Sequence, residues 1–283
     1  MREITLMDGN KIPVLGFGVY QIPKEETKNA VISAIKAGYR HIDTAQAYLN
    51  EAEVGEAIQN CGVPREELFV TTKVWVENVS YDKAKESILD SLQRMQLDYL
   101  DLVLIHQPYN DVYGTWRAMC ELKKEGKIRS IGVSNFNYDK LIDLGVFTGE
   151  MPAINQIELN PFHQQKEKVK FLIEEKVVLE AWAPFAEGRN NIFTNPVLEK
   201  IAKKHNKSVA QIIIRYFVEQ NIVVLAKSTK PERMKENLDV FDFTLDLTDK
   251  EEIAALDLKE SQFVDHASPV RIRQMAKHKL NLG

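Results

Sequence analysis

Cysteine is nearly missing from this chain of 283 residues: Cys61 and Cys120 are the only two. That is too few for a disulfide framework or a zinc cluster. Long apolar runs are missing as well. Ile212-Ile213-Ile214 is stopped by Arg215, far short of the roughly 18 residues of a membrane helix. The opening Met1-Arg2-Glu3-Ile4-Thr5 lacks the apolar stretch of a secretory signal, so a cytoplasmic protein with no membrane partner is expected. There is no basic excess: 37 Lys and Arg face 41 Asp and Glu, a net charge of −4, which gives nucleic acid no electrostatic footing. The histidines at 41, 106, 163, 205, 266 and 278 show no ligand spacing on a common helix face, and no metal site is expected. No linker, low-complexity tract or composition break divides the chain, so residues 1–283 read as a single domain.

What the sequence does contain is alternation. Short runs rich in β-branched residues lie at Val14 to Val19 and begin near Arg40, Phe69, Leu100, Ile128, Ala153, Val177 and Ile222. They are apolar without strict period two, as parallel strands covered on both faces are. Amphipathic patterns separate them: Glu25 to Ala37, Glu51 to Asn60, Tyr81 to Met95, Tyr113 to Glu125, Tyr138 to Leu144, Gln165 to Glu175, Pro196 to His205, Val209 to Gln220 and Pro231 to Leu238. Pro196 and Pro231 suit first-turn positions and Ser208 an N-cap. Eight β-then-α units in a right-handed walk close into a (β/α)8 TIM barrel, an α/β fold spanning residues 14–257. Residues 2–14 read as a hairpin turning at Asp8-Gly9-Asn10, placed to plug the barrel's N-terminal end. Residues 258–283 form a polar, basic tail, a C-terminal loop expected over the active-site face.

In such a barrel the chemistry sits at the carboxyl ends of the strands. Those ends carry Asp43 with Tyr48 just beyond, Lys73, His106, Ser134-Asn135, Gln156 with Glu158, Trp182 and Lys227-Ser228. Each has a structural explanation taken singly, as a cap, a core histidine or a solvated lysine. Converging on one rim, they make chemical sense together. Tyr48 alone is a poor acid, with a reference pKa of about 10. An ammonium such as Lys73 favours the phenolate and lowers that pKa, and Asp43 holds Lys73 charged and aimed. His106 can orient a carbonyl oxygen by hydrogen bonding. The set is a general acid with its tuning partners.

The segment Gly38-Tyr39-Arg40-His41-Ile42-Asp43-Thr44-Ala45, followed by Tyr48, Asn50 and Glu51, resembles the signature of the aldo-keto reductase family. So do Thr71-Thr72-Lys73-Val74-Trp75, Leu104-Ile105-His106, Gly132-Val133-Ser134-Asn135-Phe136, Asn155-Gln156-Ile157-Glu158 and Lys227-Ser228-Thr229-Lys230-Pro231-Glu232-Arg233. The match runs in order from about residue 3 to 265 and is most similar to bacterial members of the 2,5-diketo-gluconate or methylglyoxal reductase type. The resemblance implies an oxidoreductase that uses NADPH/NADP+ to interconvert aldehydes or ketones and alcohols. It assigns Asp43, Tyr48, Lys73 and His106 to the catalytic tetrad, with Tyr48 as proton donor. It assigns Ser134, Asn135 and Gln156 to the nicotinamide carboxamide, and Trp182 to the ring's stacking face, where Tyr is usual. Lys227, Ser228 and Arg233 fall on the positions for the 2′-phosphate, and Glu236 and Asn237 on those for the adenine.

The residues near the cofactor end support this independently. Gly16-Phe17-Gly18-Val19-Tyr20-Gln21 lacks the third glycine of a Rossmann fingerprint. Lys227, Ser228, Lys230 and Arg233 instead gather cations at a helix start, where phosphate binds. Tyr20, Trp75 and Tyr109 lie beyond strand ends and are expected to wall the pocket for a small carbonyl substrate. Trp116 reads as packing. Departures from the family pattern are Gln107 after His106, Ala226 before Lys227, and Trp182-Ala183-Pro184-Phe185-Ala186, which leaves the contacts of the loop from Phe185 to Phe193 unspecified. A monomer is the family's usual state. The alternative function is an NADPH-binding regulatory subunit with little turnover.

Overall fold

The computed structural model describes residues 2–277. The tail was expected to run to residue 283, and its last six positions, His278 among them, lie outside the described residues. Two strands, β1 (Glu3–Thr5) and β2 (Lys11–Pro13), pair antiparallel with Ile4 opposite Ile12. Eight more close a parallel barrel: β3 (Leu15–Gly18), β4 (His41–Asp43), β5 (Phe69–Val74), β6 (Leu100–Ile105), β7 (Ile128–Ser134), β8 (Ile154–Glu158), β9 (Val178–Trp182) and β10 (Val223–Ala226). They neighbour one another in chain order, and β10 returns to β3.

Helices follow the strands as the periodicity requires. α1 (Lys24–Ala37), α2 (Glu51–Asn60), α3 (Tyr81–Met95) and α4 (Val112–Lys124) come after β3 to β6, and α5 (Tyr138–Thr148) and α6 (Lys166–Glu174) after β7 and β8. α7 (Pro196–His205) and α8 (Val209–Val218) follow β9, and α9 (Pro231–Leu238) follows β10. The start signals hold: Asn195 accepts from the first turn of α7, and Ser208 with Gln211 forms a capping box for α8. α5 runs one turn past its expected end. Gly145 lies inside it against Met151, and Gly149, at φ 77°, is the residue that stops it. Two helices escaped the sequence reading. α10 (Leu247–Ala254) begins at a box formed by Asp246 and Asp249, a legible signal. α11 (Pro269–Met275) buries little besides Met275, too little to make a periodic pattern.

Every barrel strand serves two faces. Ile42, Val70, Val103, Val133, Ile157, Leu179 and Val224 face outward into the main core with the helices. Leu102, Leu104, Ile154 and Val223 face inward and join Leu6 and Ile12 of the hairpin in a separate apolar cluster. That cluster seals the N-terminal end, and Asn10 locks the hairpin to it by donating to the Arg129 carbonyl at 3.1 Å and to Ser130 Oγ at 2.9 Å. Above the plug the interior turns polar. Gly16 is required there: a Cβ would lie 2.6 Å from His41 Nδ1 and 2.5 Å from Leu225 Cδ2. Among the described residues no helix is long and apolar enough to cross a membrane.

Candidate active site

Register places the functional side chains at one height. Asp43 pairs with Thr71, Lys73 with Leu104, Ser134 with Gln156, and Gln156 with Glu180. Tyr48 ends a short 3-10 turn, Gln46–Tyr48, just after β4, so its ring returns over the rim. Lys73, fully buried, donates to Asp43 Oδ1 at 2.6 Å, to the Thr44 carbonyl at 2.9 Å and to Tyr48 Oη at 3.3 Å. Its three hydrogens are thereby used. His106 lies immediately beyond β6 with its ring 5.8 Å from that of Tyr48 and 5.1 Å from that of Trp75.

Electrostatics decide the protonation states. Burial works against the Lys73 cation, but Asp43, Tyr48 and Glu180 outweigh it and hold its pKa above the ordinary lysine value. Burial lifts Asp43, with Lys73 and Gln156 pulling the other way. For Tyr48 the expectation of a lowered pKa is corrected. Lys73 does act in that direction, but desolvation is larger, and the phenol is pushed up to about 12. Tyr48 therefore keeps its proton at neutral pH. Burial, Lys73 and His266 hold His106 well below the usual histidine value, so it is a neutral imidazole.

The remaining rim residues form a connected shelf. Ser134 Oγ donates to the Gln156 carbonyl at 2.9 Å, and Asn135 Nδ2 donates to the His106 carbonyl at 3.1 Å. Asn135 has a left-handed backbone, φ 64°, and its Oδ1 accepts from Trp182 Nε1 at 2.9 Å. That bond fixes the half-buried indole at the rim. Lys227, Lys230 and Arg233 are exposed around the start of α9, and Ser228 Oγ accepts the Lys230 N–H at 3.1 Å. Glu236 is half-buried. Asn237 is buried and hydrogen-bonded to Tyr39, so part of its capacity serves the fold. Tyr20 is half-exposed with its ring 4.9 Å from that of Tyr48. Trp75 and Tyr109 are buried with Met275 of α11. Trp116 is buried in the main core, as packing.

The tail crosses this face. Ser261 Oγ and Gln262 N donate to the two carboxylate oxygens of Glu158 at 2.6 and 2.9 Å, and Phe263 packs its edge on Trp182 at 5.3 Å. Tyr109 Oη donates to the His266 carbonyl at 2.7 Å, and His266 Nδ1 meets Gln107 Oε1 at 2.9 Å. Glu158, read from the sequence as a strand-end polar residue, is the tail's anchor. Gln107, Phe263 and His266 were missed, because a tail's docking site leaves no periodic trace. Glu180 was also missed, although its signal was present. A carboxylate in the buried run Val177-Val178-Leu179-Glu180-Ala181-Trp182 needs a partner inside the barrel. Among the described residues no His, Cys, Asp and Glu cluster could hold a metal ion.

Known proteins are similar to this chain over most of its length. Over 257 residues the chain is 46% identical to the Escherichia coli strain K12 protein named methylglyoxal reductase DkgA, covering 90% of this chain and 93% of the relative. It is 45% identical over 259 residues to the Bacillus subtilis strain 168 glyoxal reductase, covering 91% and 93%. The crystal structure of a Bombyx mori aldo-keto reductase in complex with NADP superposes with a TM-score of 0.87 at 35% identity, covering 93% of this chain and 95% of that one. A profile of the aldo/keto reductase family matches residues 14–258, from the end of the hairpin to the tail. With a closed eight-stranded barrel, an N-terminal hairpin and a match across nearly its whole length, this chain belongs to the aldo/keto reductase family.

Proposed function

We propose that this protein is an NADPH-dependent reductase of small aldehydes and ketones, dicarbonyls and keto-sugars included, with Tyr48 as general acid. The observation that carries the reading is the buried Asp43–Lys73–Tyr48 chain, at 2.6 and 3.3 Å, beside a neutral His106. Tyr48 holds a proton at neutral pH, and Lys73 stands where a phenolate would form. Asp43 keeps Lys73 charged and pointed. His106, uncharged, offers an N–H to a carbonyl oxygen and orients it toward Tyr48 without competing as an acid. Stabilisation is thus aimed at charge that develops only during proton transfer.

NADPH, when bound, supplies the hydride. The residues present suit it. Lys227, Lys230 and Arg233 form no ion pair with a carboxylate among the described residues, a donor set matched to a 2′-phosphate. Gln156, Ser134 and Asn135 surround the rim with amide and hydroxyl groups for the carboxamide, and Trp182 offers a flat face for the ring. Ser228 would join the phosphate set, with Glu236 and Asn237 toward the adenine. Tyr20, Trp75 and Tyr109 would line the substrate side. Support for small dicarbonyls comes from the Escherichia coli and Bacillus subtilis relatives named methylglyoxal and glyoxal reductase. We read the chain as one domain, a cytoplasmic monomer, consistent with both Cys61 and Cys120 being free thiols.

The test follows NADPH absorbance with a panel of aldehydes, dicarbonyls and keto-sugars. Tyr48→Phe should lose about 10²–10⁴-fold in kcat while still binding cofactor. If no panel member is reduced faster by the wild type than by Tyr48→Phe, the enzymatic reading fails. Arg233→Ala should raise the NADPH dissociation constant about tenfold and leave NADH unaffected, and an unchanged NADPH titration would remove Arg233 from the phosphate site.

A further inference from the structure

Gln156 has an unusual set of neighbours for an amide at a binding rim. Its Nε2 donates to Asp43 Oδ2 at 3.0 Å and to Glu180 Oε2 at 2.8 Å. Both acceptors are carboxyl groups, and all three side chains are at least 96% buried. A primary amide has two N–H donors and one carbonyl oxygen. Here both donors are taken, by groups on two different strands, and no donor among the described residues reaches Oε1. Reversing the amide would set its oxygen against Oδ2 of the Asp43 carboxyl group, whose Oδ1 accepts from Lys73. Asp43 therefore decides which end faces inward, but a single bond leaves the group free to swing about it. The second bond, from the register partner on β9, removes that freedom.

We propose that Glu180 is a positioning residue for the cofactor's nicotinamide: with Asp43 it occupies both amide hydrogens of Gln156 and thereby aims Oε1 as an acceptor at the N–H of the carboxamide. This rests on the cofactor reading given above. The clamp does not depend on the charge of Glu180. Burial and the neighbouring Asp43 lift the carboxyl to about 8, so it is an acid at neutral pH, yet its Oε2 accepts in either state. The groups facing it are Asp43, Lys73, Gln156 and His41, whose Nε2 is 3.6 Å from Glu180 Oε1. Burial and Lys73 push His41 down to about 3, so it brings no positive charge that would draw Glu180 away from Gln156.

A correctly aimed acceptor makes the site selective for a donor at the carboxamide position. The test compares binding of three dinucleotides by fluorescence titration of the full protein. They are NADP+, its 3-acetylpyridine analogue, in which a methyl group replaces the amide nitrogen, and its nicotinic acid analogue, which presents a carboxylate. The wild type should prefer NADP+ over the acetylpyridine form by about tenfold and over the acid by more. Glu180→Val, which removes the acceptor, should shrink the first preference to about threefold or less. Glu180→Gln, whose side-chain oxygen can still accept, should retain it. Adenosine 2′,5′-bisphosphate, which lacks the nicotinamide, should bind all three proteins equally and so reports that they are folded. Glu180→Thr, too short to reach Gln156, replaces Glu180→Val if that variant fails this control. The proposal is overturned if the acceptor-less variant keeps the full preference, or if Glu180→Gln loses as much as Glu180→Val. A wild type that binds none of the dinucleotides would overturn the cofactor reading, and this inference with it.

Discussion

The two ends of the barrel hold charge in opposite proportions. At the N-terminal end one carboxylate, Asp101, meets two guanidinium groups, Arg65 at 2.7 Å and Arg129 at 3.3 Å, and takes the Val70 N–H at 2.9 Å as well. Those two arginines stack on the Tyr99 ring, 4.2 and 3.9 Å from its centre. Inside this end lies the apolar plug of Leu6 and Ile12. At the C-terminal end one cation, Lys73, serves two buried carboxyl groups, Asp43 and Glu180, while His106 stays neutral. Among the described residues, His106 Nδ1 and Glu180 Oε1 have no hydrogen-bond partner. One end sets two cations on one carboxylate, although burial still lifts Asp101 above the ordinary carboxylate value. The other shares one cation between two carboxyl groups and keeps polar atoms in reserve, a cost carried where a ligand is to be bound and a proton moved.

Substitutions at both ends should cost stability, and only those at the C-terminal end should cost activity. The largest effect is expected for Lys73→Met, which removes the site's cation. It should lower kcat in NADPH consumption by about 10²–10⁴-fold. It should also destabilise the fold by about 3–5 kcal/mol in denaturant unfolding, unless Asp43 takes up a proton. Next comes Ile12→Ala in the plug. Loss of a fully buried side chain costs about 2–4 kcal/mol and should lower Tm by roughly 5–10 °C. Its kcat/KM, measured well below the transition, should stay within about twofold of wild type. A large loss of activity there would show that the plug shapes the site and would break the comparison.

The smallest effect sharpens it. Glu180 is ordinary in the unfolded chain but is held at about 8 in the native one. A raised native pKa means the stabilising protonated form is fully available below the unfolded value, near 4.5, and is lost as pH rises through about 8. Glu180→Gln removes that titration. Its Tm should exceed that of wild type by several degrees at pH 9, with the gap closing toward pH 5. Parallel curves at both pH values would mean that Glu180 is not held protonated.

Much of the site was legible because its residues follow strand ends at regular spacing. Asp43, Lys73, His106, Ser134 and Gln156 each stand within the last three residues of a barrel strand or just after it, and the barrel's closure brings them to one rim. The tail was legible as a polar segment over the active-site face, but its contacts were not. Its docking on Glu158, Gln107 and Tyr109 joins residues more than a hundred positions apart, and α11 is too short to show a face.

Strand and helix periods, the turn at Asp8-Gly9, the caps at Asn195 and Ser208 and the order of the strand-end residues are local properties, and the chain states them directly. Desolvation is not local. Whether Tyr48 is a stronger or weaker acid than free tyrosine depended on how much water the closed barrel excludes, and burial outweighed the nearby ammonium. The same exclusion makes Glu180 an acid at neutral pH, and register alone set it beside Gln156. The sequence by itself determined which groups reach the rim. The tertiary structure decided their charges and partners, because a pKa in a low-dielectric interior is a balance summed over the whole surrounding shell.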